Sequence, residues 1–355
     1  MIKKIIKKTA GSLSIVAVLM GLSSSVNAAE YEWTFSQPWT RPIANKVFEH
    51  FIDKVKEYSN GEIEIKLYKN GLLGNHEETF HGVQDGSITI GVFSPYAKII
   101  PGGVLNWMPW AISNWDAAEK AYSVGGPLND VLETAYNEVG MHTLMHISQG
   151  AYGIGNTVRP IRQSEDFKNL KIRVSGSIGF VRALEGMGEG TGMTLQTLPW
   201  SEIYNGLSRG VIDGNWTMWP SLVDERHAEV LTFFSDINFA WDNQNVSINL
   251  NAWNELPDNL KEAVSRAAAE AQDYSNQLHK EAESGYIQQL EEMSDFTIVR
   301  LTDEERAALR EASNIDAIWA ELADSWLEKA YPNQNMSKKL RSQLEALNQV
   351  ASSKD

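Results

Sequence analysis

The sequence predicts an α/β protein of two similar units with a long helix laid across both. Three observations carry this. A β-α-β-α-β pattern occupies residues 32–93, a second α/β unit of similar order occupies 170–213, and a stretch rich in Ala, Glu, Lys and Gln runs from Pro257 without a glycine until Gly285. At 355 residues and 43% hydrophobic, the chain is long enough for two ordinary cores.

In the first unit, Glu32 to Phe35 reads as a strand, and Thr40-Arg41-Pro42 opens a helix with Thr40 as N-cap. Ile43, Val47, Phe48, Phe51, Ile52 and Val55 recur at helical spacing down to the stop at Asn60-Gly61. Ile63 to Tyr68 alternates like a strand, Glu77 to Gln84 is helical, and Ser87 to Phe93 suits a buried parallel strand. In the second unit, Leu170 to Val174 is a strand, Ile178 to Met187 a helix and Met193 to Leu198 a strand. Pro199 to Ser208 is a helix ended by Gly210, and Val211 to Asp213 a further strand. The Trp- and Asn-rich segments Val104 to Trp115 and Phe239 to Trp253 are expected to cross between the units. Leu260, Val264, Ala267, Ala271 and Leu278 share one stripe of the long helix, and Thr302 with Glu305 forms a capping box for the first of the C-terminal helices.

Charge and composition exclude several functions. With 46 acidic against 31 basic side chains the net charge is −15, a field that repels nucleic acid. The absence of cysteine removes thiol catalysis, iron–sulfur clusters and Cys-rich zinc sites. Lys3, Lys4, Lys7 and Lys8, the apolar run Leu13 to Leu22 and Val26-Asn27-Ala28 read as a cleaved export signal over residues 1–28, too short for a membrane span.

The usual catalytic motifs fail one by one. Gly186, Gly188, Gly190 and Gly192 follow a helix and precede a strand, the reverse of the phosphate-binding order. His142 with His146, and His76 with His81, match no metal-ligand spacing, and Ser175-Gly176-Ser177 is not a nucleophile elbow. Asn215-Trp216-Thr217 has the form of a glycosylation sequon, which bacterial-type export seldom uses. No metal and no cofactor are expected. What remains is Arg173 at the carboxyl end of its strand, where ligands collect in open α/β sheets and where a guanidinium fork matches a carboxylate. Asn215, Trp216, Thr217 and Trp219 are expected in the loop after the next strand, with Ser36-Gln37-Pro38-Trp39 and Ser94-Pro95-Tyr96 as the corresponding loops of the first unit.

Together these segments resemble the dicarboxylate-binding-type solute-binding proteins of tripartite ATP-independent periplasmic (TRAP) transporters. The resemblance rests on Asn70-Gly71-Leu72-Leu73-Gly74 with Glu77, Val83-Gln84-Asp85-Gly86, Phe167 to Val174, and Leu198-Pro199-Trp200-Ser201-Glu202-Ile203-Tyr204 with Asp213-Gly214. It implies an α/β, two-lobed periplasmic-binding-protein fold, each lobe a mixed sheet flanked by helices, with a hinge and a long helix spanning both lobes. Lobe I would comprise residues 29–150 and about 242–275. Lobe II would comprise 151–241 and about 276–345 with the C-terminal helices, leaving 346–355 as a frayed tail. It also implies a monomeric periplasmic protein that delivers a small organic anion to a TRAP permease. Arg173 takes the place of the family arginine that pairs with the ligand carboxylate. Thr217 stands where the family often has asparagine, and Gly153 where sialic-acid binders have a second arginine, which disfavours a bulky sugar acid.

The expected ligand is a monocarboxylate whose remainder is apolar, aromatic or cationic, held by Arg173, Asn215, Trp216, Thr217, Trp219, Gln37, Trp39, Tyr96, Tyr152 and Glu77. Whether the rings cage a cation or stack on a ring is left open. Two competing readings are a binding protein for another importer or receptor, and an exported enzyme using Glu77 or Asp213 as acid and base.

Overall fold

The computed structural model describes residues 29–39, 41–94 and 99–352. The expected signal peptide, Thr40, Tyr96 and the last three residues lie outside them. Three short strands build one side of the sheet: β1 (Tyr31–Ser36), β2 (Ile63–Tyr68) and β3 (Ile90–Phe93). Next comes a strand of 16 residues, β4 (Met141–Asn156). Three more short strands, β5 (Lys171–Val174), β6 (Thr194–Thr197) and β7 (Gly214–Thr217), build the other side. They are followed by the 17-residue β8 (Phe233–Asn249) and finally β9 (Thr297–Arg300). The order β2-β1-β3-β8-β4-β7-β5-β6, with β9 on β8, joins the two lobes through one antiparallel pair, β4 and β8. At roughly 3.4 Å per residue each of these strands is long enough to run through both lobes.

Helices cover the sheet as its apolar faces require. Pro42–Tyr58 buries Val47, Phe48, Phe51 and Val55 over Trp33, Phe35 and Ile63, and the first half of the long helix adds Leu260, Val264, Ala267 and Ala271 to that core. The long helix is continuous from Asp258 to Glu291. Its far end joins the second-lobe core of Ile203, Leu207, Trp219, Phe234 and Leu290. A third core runs through both lobes, from Phe80 and Phe93 to Phe180 and Trp216. The C-terminal helices also touch both sides. Arg182 of the second lobe pairs with Glu321 at 2.8 Å, while Thr134 bonds Tyr331 at 2.7 Å and Asn348 accepts from the Ser113 amide at 3.0 Å.

Several sequence expectations need correction. The helix at 42 is preceded by Arg41, which makes no side-chain cap, so the terminus rests on Pro42 in its first turn. Val211 to Asp213 is not a strand: the amides of Val211 and Ile212 both reach back to the Gly206 carbonyl, and Val211 is 52% exposed. The strand lies one step later at Gly214–Thr217, so Asn215, Trp216 and Thr217 are in the sheet and not in a loop. The last helix runs to Ser352, past the expected start of a frayed tail, because Asn348 ties it to Ser113 and Ala111.

Where β4 and β8 pass between the lobes they carry polar side chains that are fully enclosed. Asn243 Nδ2 donates to Asn106 Oδ1 at 2.6 Å and meets His146 Nδ1 at 2.9 Å, and its Oδ1 accepts from Ser148. Asn106 Nδ2 and Trp107 Nε1 both donate to the Asn243 carbonyl, at 3.0 and 2.9 Å, which fixes the expected crossing segment onto β8. Asn243→Ala strands these partners in a dry interior. It is expected to lower unfolding free energy by about 2–4 kcal/mol, measured by urea denaturation.

Candidate functional site

Arg173 sits on β5, beside Asn215 of β7 in register, with only 2% of its surface exposed. Its Nε donates to the Leu198 carbonyl at 2.9 Å, and its guanidinium carbon lies 5.4 Å from the Trp200 ring centre and 5.3 Å from that of Trp216. Nη1 is buried with no hydrogen-bond partner, and so is Oδ1 of Asn215, whose Nδ2 donates to the Trp216 carbonyl at 2.7 Å. Among the described residues no carboxylate forms an ion pair with Arg173. Burial draws its pKa down to about 10, so the group is still charged at neutral pH. A buried cation with a free N–H is costly unless an anion meets it, so a carboxylate is the kind of group this point can accommodate.

A second buried arginine is already satisfied. Arg41 pairs with Glu225, its Nε donating to Glu225 Oε1 at 2.8 Å and its Nη2 lying 2.6 Å from the same oxygen. Nη2 also donates to Ser221 at 3.3 Å, and Nη1 donates to Gln149 Oε1. Burial opposes the charge of Arg41, but Glu225 and Asp242 more than offset it and raise its pKa. Burial opposes ionisation of Glu225 too, yet Arg41 holds its carboxyl below the ordinary value. The other oxygen of Glu225 accepts from Trp200 Nε1 at 2.5 Å, and Trp200 is the ring beside Arg173.

The β4 and β8 pair supplies the floor between these arginines. The register of β4 slips between Ser148 and Gly150, leaving Gln149 outside the ladder and free to turn its side chain to Arg41 and to Asp242, the latter at 2.9 Å. Gly150 has φ of 105°, a backbone shape closed to most other residues. Asp242 is completely buried and accepts from Gln149 and Gln244 amides. Burial drives its pKa up to about 6 despite Arg41 and a hydrogen bond from Tyr152. Tyr152 stands edge-on to Trp107 and Phe180 at 6.0 and 5.4 Å and interacts electrostatically with Arg173.

The expected site residues therefore divide. Arg173, Asn215, Trp216 and Tyr152 converge. Thr217 is buried in β7 and faces His227 Nδ1 at 3.5 Å. Gln37 is buried, with Nε2 bound to Asn45 at 2.9 Å and Oε1 unpartnered, and Trp39 lies 5.4 Å from the Arg41 guanidinium. Trp219 packs edge-on against Phe234 at 4.6 Å inside the second-lobe core, not in a loop wall. Glu77 is exposed in the first turn of its helix, where its amide caps onto Asn75 at 2.9 Å. Asp213 binds the Lys171 amide at 2.8 Å and holds strand to strand. These two acids thus have structural settings and no shared site. Sequence reasoning missed Arg41, Gln149, Trp200, Glu225 and Asp242. Arg41 in the loop after the first strand was the one visible hint.

Gly153 is closed to any side chain, since a Cβ there would lie 2.4 Å from the Ser235 carbonyl and 2.7 Å from the Phe234 ring. No group of three or more metal-ligating side chains occurs among the described residues, and no described helix is long and apolar enough to cross a membrane.

Residues 36–325 match the model of bacterial extracellular solute-binding protein, family 7. The C4-dicarboxylate-binding periplasmic protein DctP of Rhodobacter capsulatus is 26% identical over 265 residues, 74% of this chain and 77% of the relative. The ectoine-binding periplasmic protein TeaA of Halomonas elongata is 24% identical over 309 residues, 84% of this chain and 86% of the relative. A TRAP periplasmic solute-binding protein from Desulfovibrio salexigens, solved with orotic acid, superposes with a TM-score of 0.77 at 20% identity, covering 89% of this chain and 99% of that one.

The buried carboxyl of Asp242 gives a pH signature. Its folded pKa near 6 lies above the ordinary 3.8, so the fold disfavours the charged form. The penalty is absent below about pH 4, grows as pH rises and is complete above about pH 6, worth about 3 kcal/mol. The difference in unfolding free energy between the parent and Asp242→Asn is expected to change by that amount across the window, against the parent at the higher pH. A flat difference between pH 4 and 7 by chemical denaturation would contradict it.

Proposed function

The chain belongs to family 7 of the bacterial extracellular solute-binding proteins, and we propose that it captures a small monocarboxylate outside the cytoplasm and hands it to a TRAP permease. The observation that carries this reading is Nη1 of Arg173, charged, buried and unpartnered. A ligand carboxylate would accept from it while Asn215 Oδ1 takes a donor from the same molecule.

Charge balance favours one carboxylate over two. Arg41 already has Glu225, and Asp242 adds a further acid beside it, so a second carboxylate on the ligand would find no free cation there. The rest of the ligand would lie along Trp200, Trp216 and Tyr152, which suits an apolar, aromatic or cationic remainder. Charged hydrogen bonds contribute roughly 1.5–3 kcal/mol each, whereas micromolar affinity needs about 8 kcal/mol, so aromatic and polar contacts must supply the difference. One relative is named for binding C4-dicarboxylates and another for binding ectoine, which supports a small organic solute as the ligand class.

Lobe I (29–150 and about 242–275) and lobe II (151–241 and about 276–345) would then close on the ligand as two bodies, hinged where β4 and β8 pass between them. Gly150 and the slips in β4 register are suited to absorb the rotation. Export by the leader at 1–28 would place a monomeric receptor in the periplasm.

Calorimetric titration against betaines, aromatic acids, short keto acids and C4-dicarboxylates tests the reading. Binding of a monocarboxylate above its amide and above the dicarboxylates is expected, and failure of every carboxylate would overturn it. For the acid that binds, Arg173→Ala is expected to lower affinity by about 100-fold or more with thermal unfolding unchanged, and Arg173→Lys by less. Unaltered affinity in the alanine variant would remove Arg173 from the site.

A further inference from the structure

Glu225 divides its two oxygens between two tasks. Oε1 receives Arg41, which lies at the start of the Pro42–Tyr58 helix in the first lobe, 184 positions earlier in the chain. Oε2 receives the indole N–H of Trp200, whose ring stands 5.4 Å from the Arg173 guanidinium. One carboxylate thus touches the opposite lobe and the ring that covers Arg173. The ion pair is also well enclosed, with side-chain exposure of 9% for Arg41 and 23% for Glu225, so water screens it weakly. The surroundings of Arg41 favour the paired geometry, because Gln149 of β4 accepts from Nη1 and Ser221 of the second lobe from Nη2. His227 lies 3.6 Å from Glu225, but burial lowers its pKa to about 4, so it adds no competing charge at neutral pH.

We propose that Glu225 is a positioning residue which latches the lobes through Arg41 and, by the same carboxylate, seats Trp200 against Arg173. Opening the lobes takes Arg41 away. Glu225 is then an anion without its cation, its hold on Trp200 loosens, and the arginine is uncovered. Closing reverses each step, so lobe position and the readiness of Arg173 are set together. The seating of Trp200 rests on the carboxylate site proposed above, whereas the latch can be tested with no ligand at all.

The absence of native cysteine makes the test clean, since a pair of introduced thiols is labelled without background. Leu72→Cys and Asn205→Cys, both exposed, place one spin label on each lobe of the full mature chain. In the ligand-free parent, pulsed electron paramagnetic resonance is expected to show a short-distance, closed population in equilibrium with an open one. Glu225→Gln and Arg41→Gln, made separately, should each raise the open-to-closed ratio by about tenfold or more, and the double variant should open no further than either alone. Because the two variants lie on opposite lobes, misfolding of one leaves the other as the test. Phenylglyoxal labelling of Arg173, followed by peptide mass spectrometry, reads the second task. Trp200→Phe, which keeps a ring and removes the N–H, is expected to speed labelling while the lobes stay closed; Glu225→Gln should change both. Unchanged distances in both glutamine variants, or additive opening in the double variant, would overturn the latch. Arg173 labelling unaffected by Trp200→Phe would overturn the seating role. Failure of all carboxylates to bind would leave the distance results standing and fall on the ligand reading instead.

Discussion

A guanidinium kept charged where water cannot reach it must be answered by something negative, and Arg173 has no such answer within the described chain. The rest of the architecture is organised around that imbalance. The short parallel strands bring Arg173 and Asn215 side by side, the two tryptophans shield the cation with their ring faces, and the second arginine is neutralised locally by Glu225. Of the two buried arginines, Arg41 thus has its counter-charge inside the protein and Arg173 does not.

The same economy explains why the strands between the lobes are polar. A hydrophobic seam there would hold the lobes together by area alone and would not fix one geometry between them. Asn243, His146, Ser148 and Asn106 instead interlock by hydrogen bonds of defined geometry, and Asp242 is held by two amides and a phenol. Such a network fixes the pairing of the two strands on either side of the slip at Gln149, where Gly150 takes the left-handed backbone shape. The long helix, with its alanines against the Pro42–Tyr58 helix and its far end in the second core, gives the two bodies a shared strut.

Much of this was legible in the residues because local physics and tertiary structure agree. The helix at Ile178–Met187, the Thr302–Glu305 capping box and the unbroken helix from 258 each announce themselves by periodicity or cap chemistry. Arg173 was legible because it stands near the carboxyl end of a parallel strand, where ligands collect in α/β sheets, within a segment that resembles the family's. The failures are equally physical. Val211-Ile212 looks like a strand but closes a helix, while the true strand Gly-Asn-Trp-Thr is built from residues of mixed propensity and formed by its neighbours. β4 was not recognised because its bulges break the two-residue alternation and its buried polar groups read as surface. No local signal joins Arg41 to Glu225; that pair exists only once two distant loops meet.

The glycine at 153 also limits what this sheet can carry between its long strands. Its α-hydrogen side is blocked by main chain and an aromatic ring, so placing any side chain there would require the neighbouring strand to give way as well. The backbone pairing of β4 with β8 and the absence of a side chain at that point are one and the same constraint, and a charge could enter there only by parting the two strands.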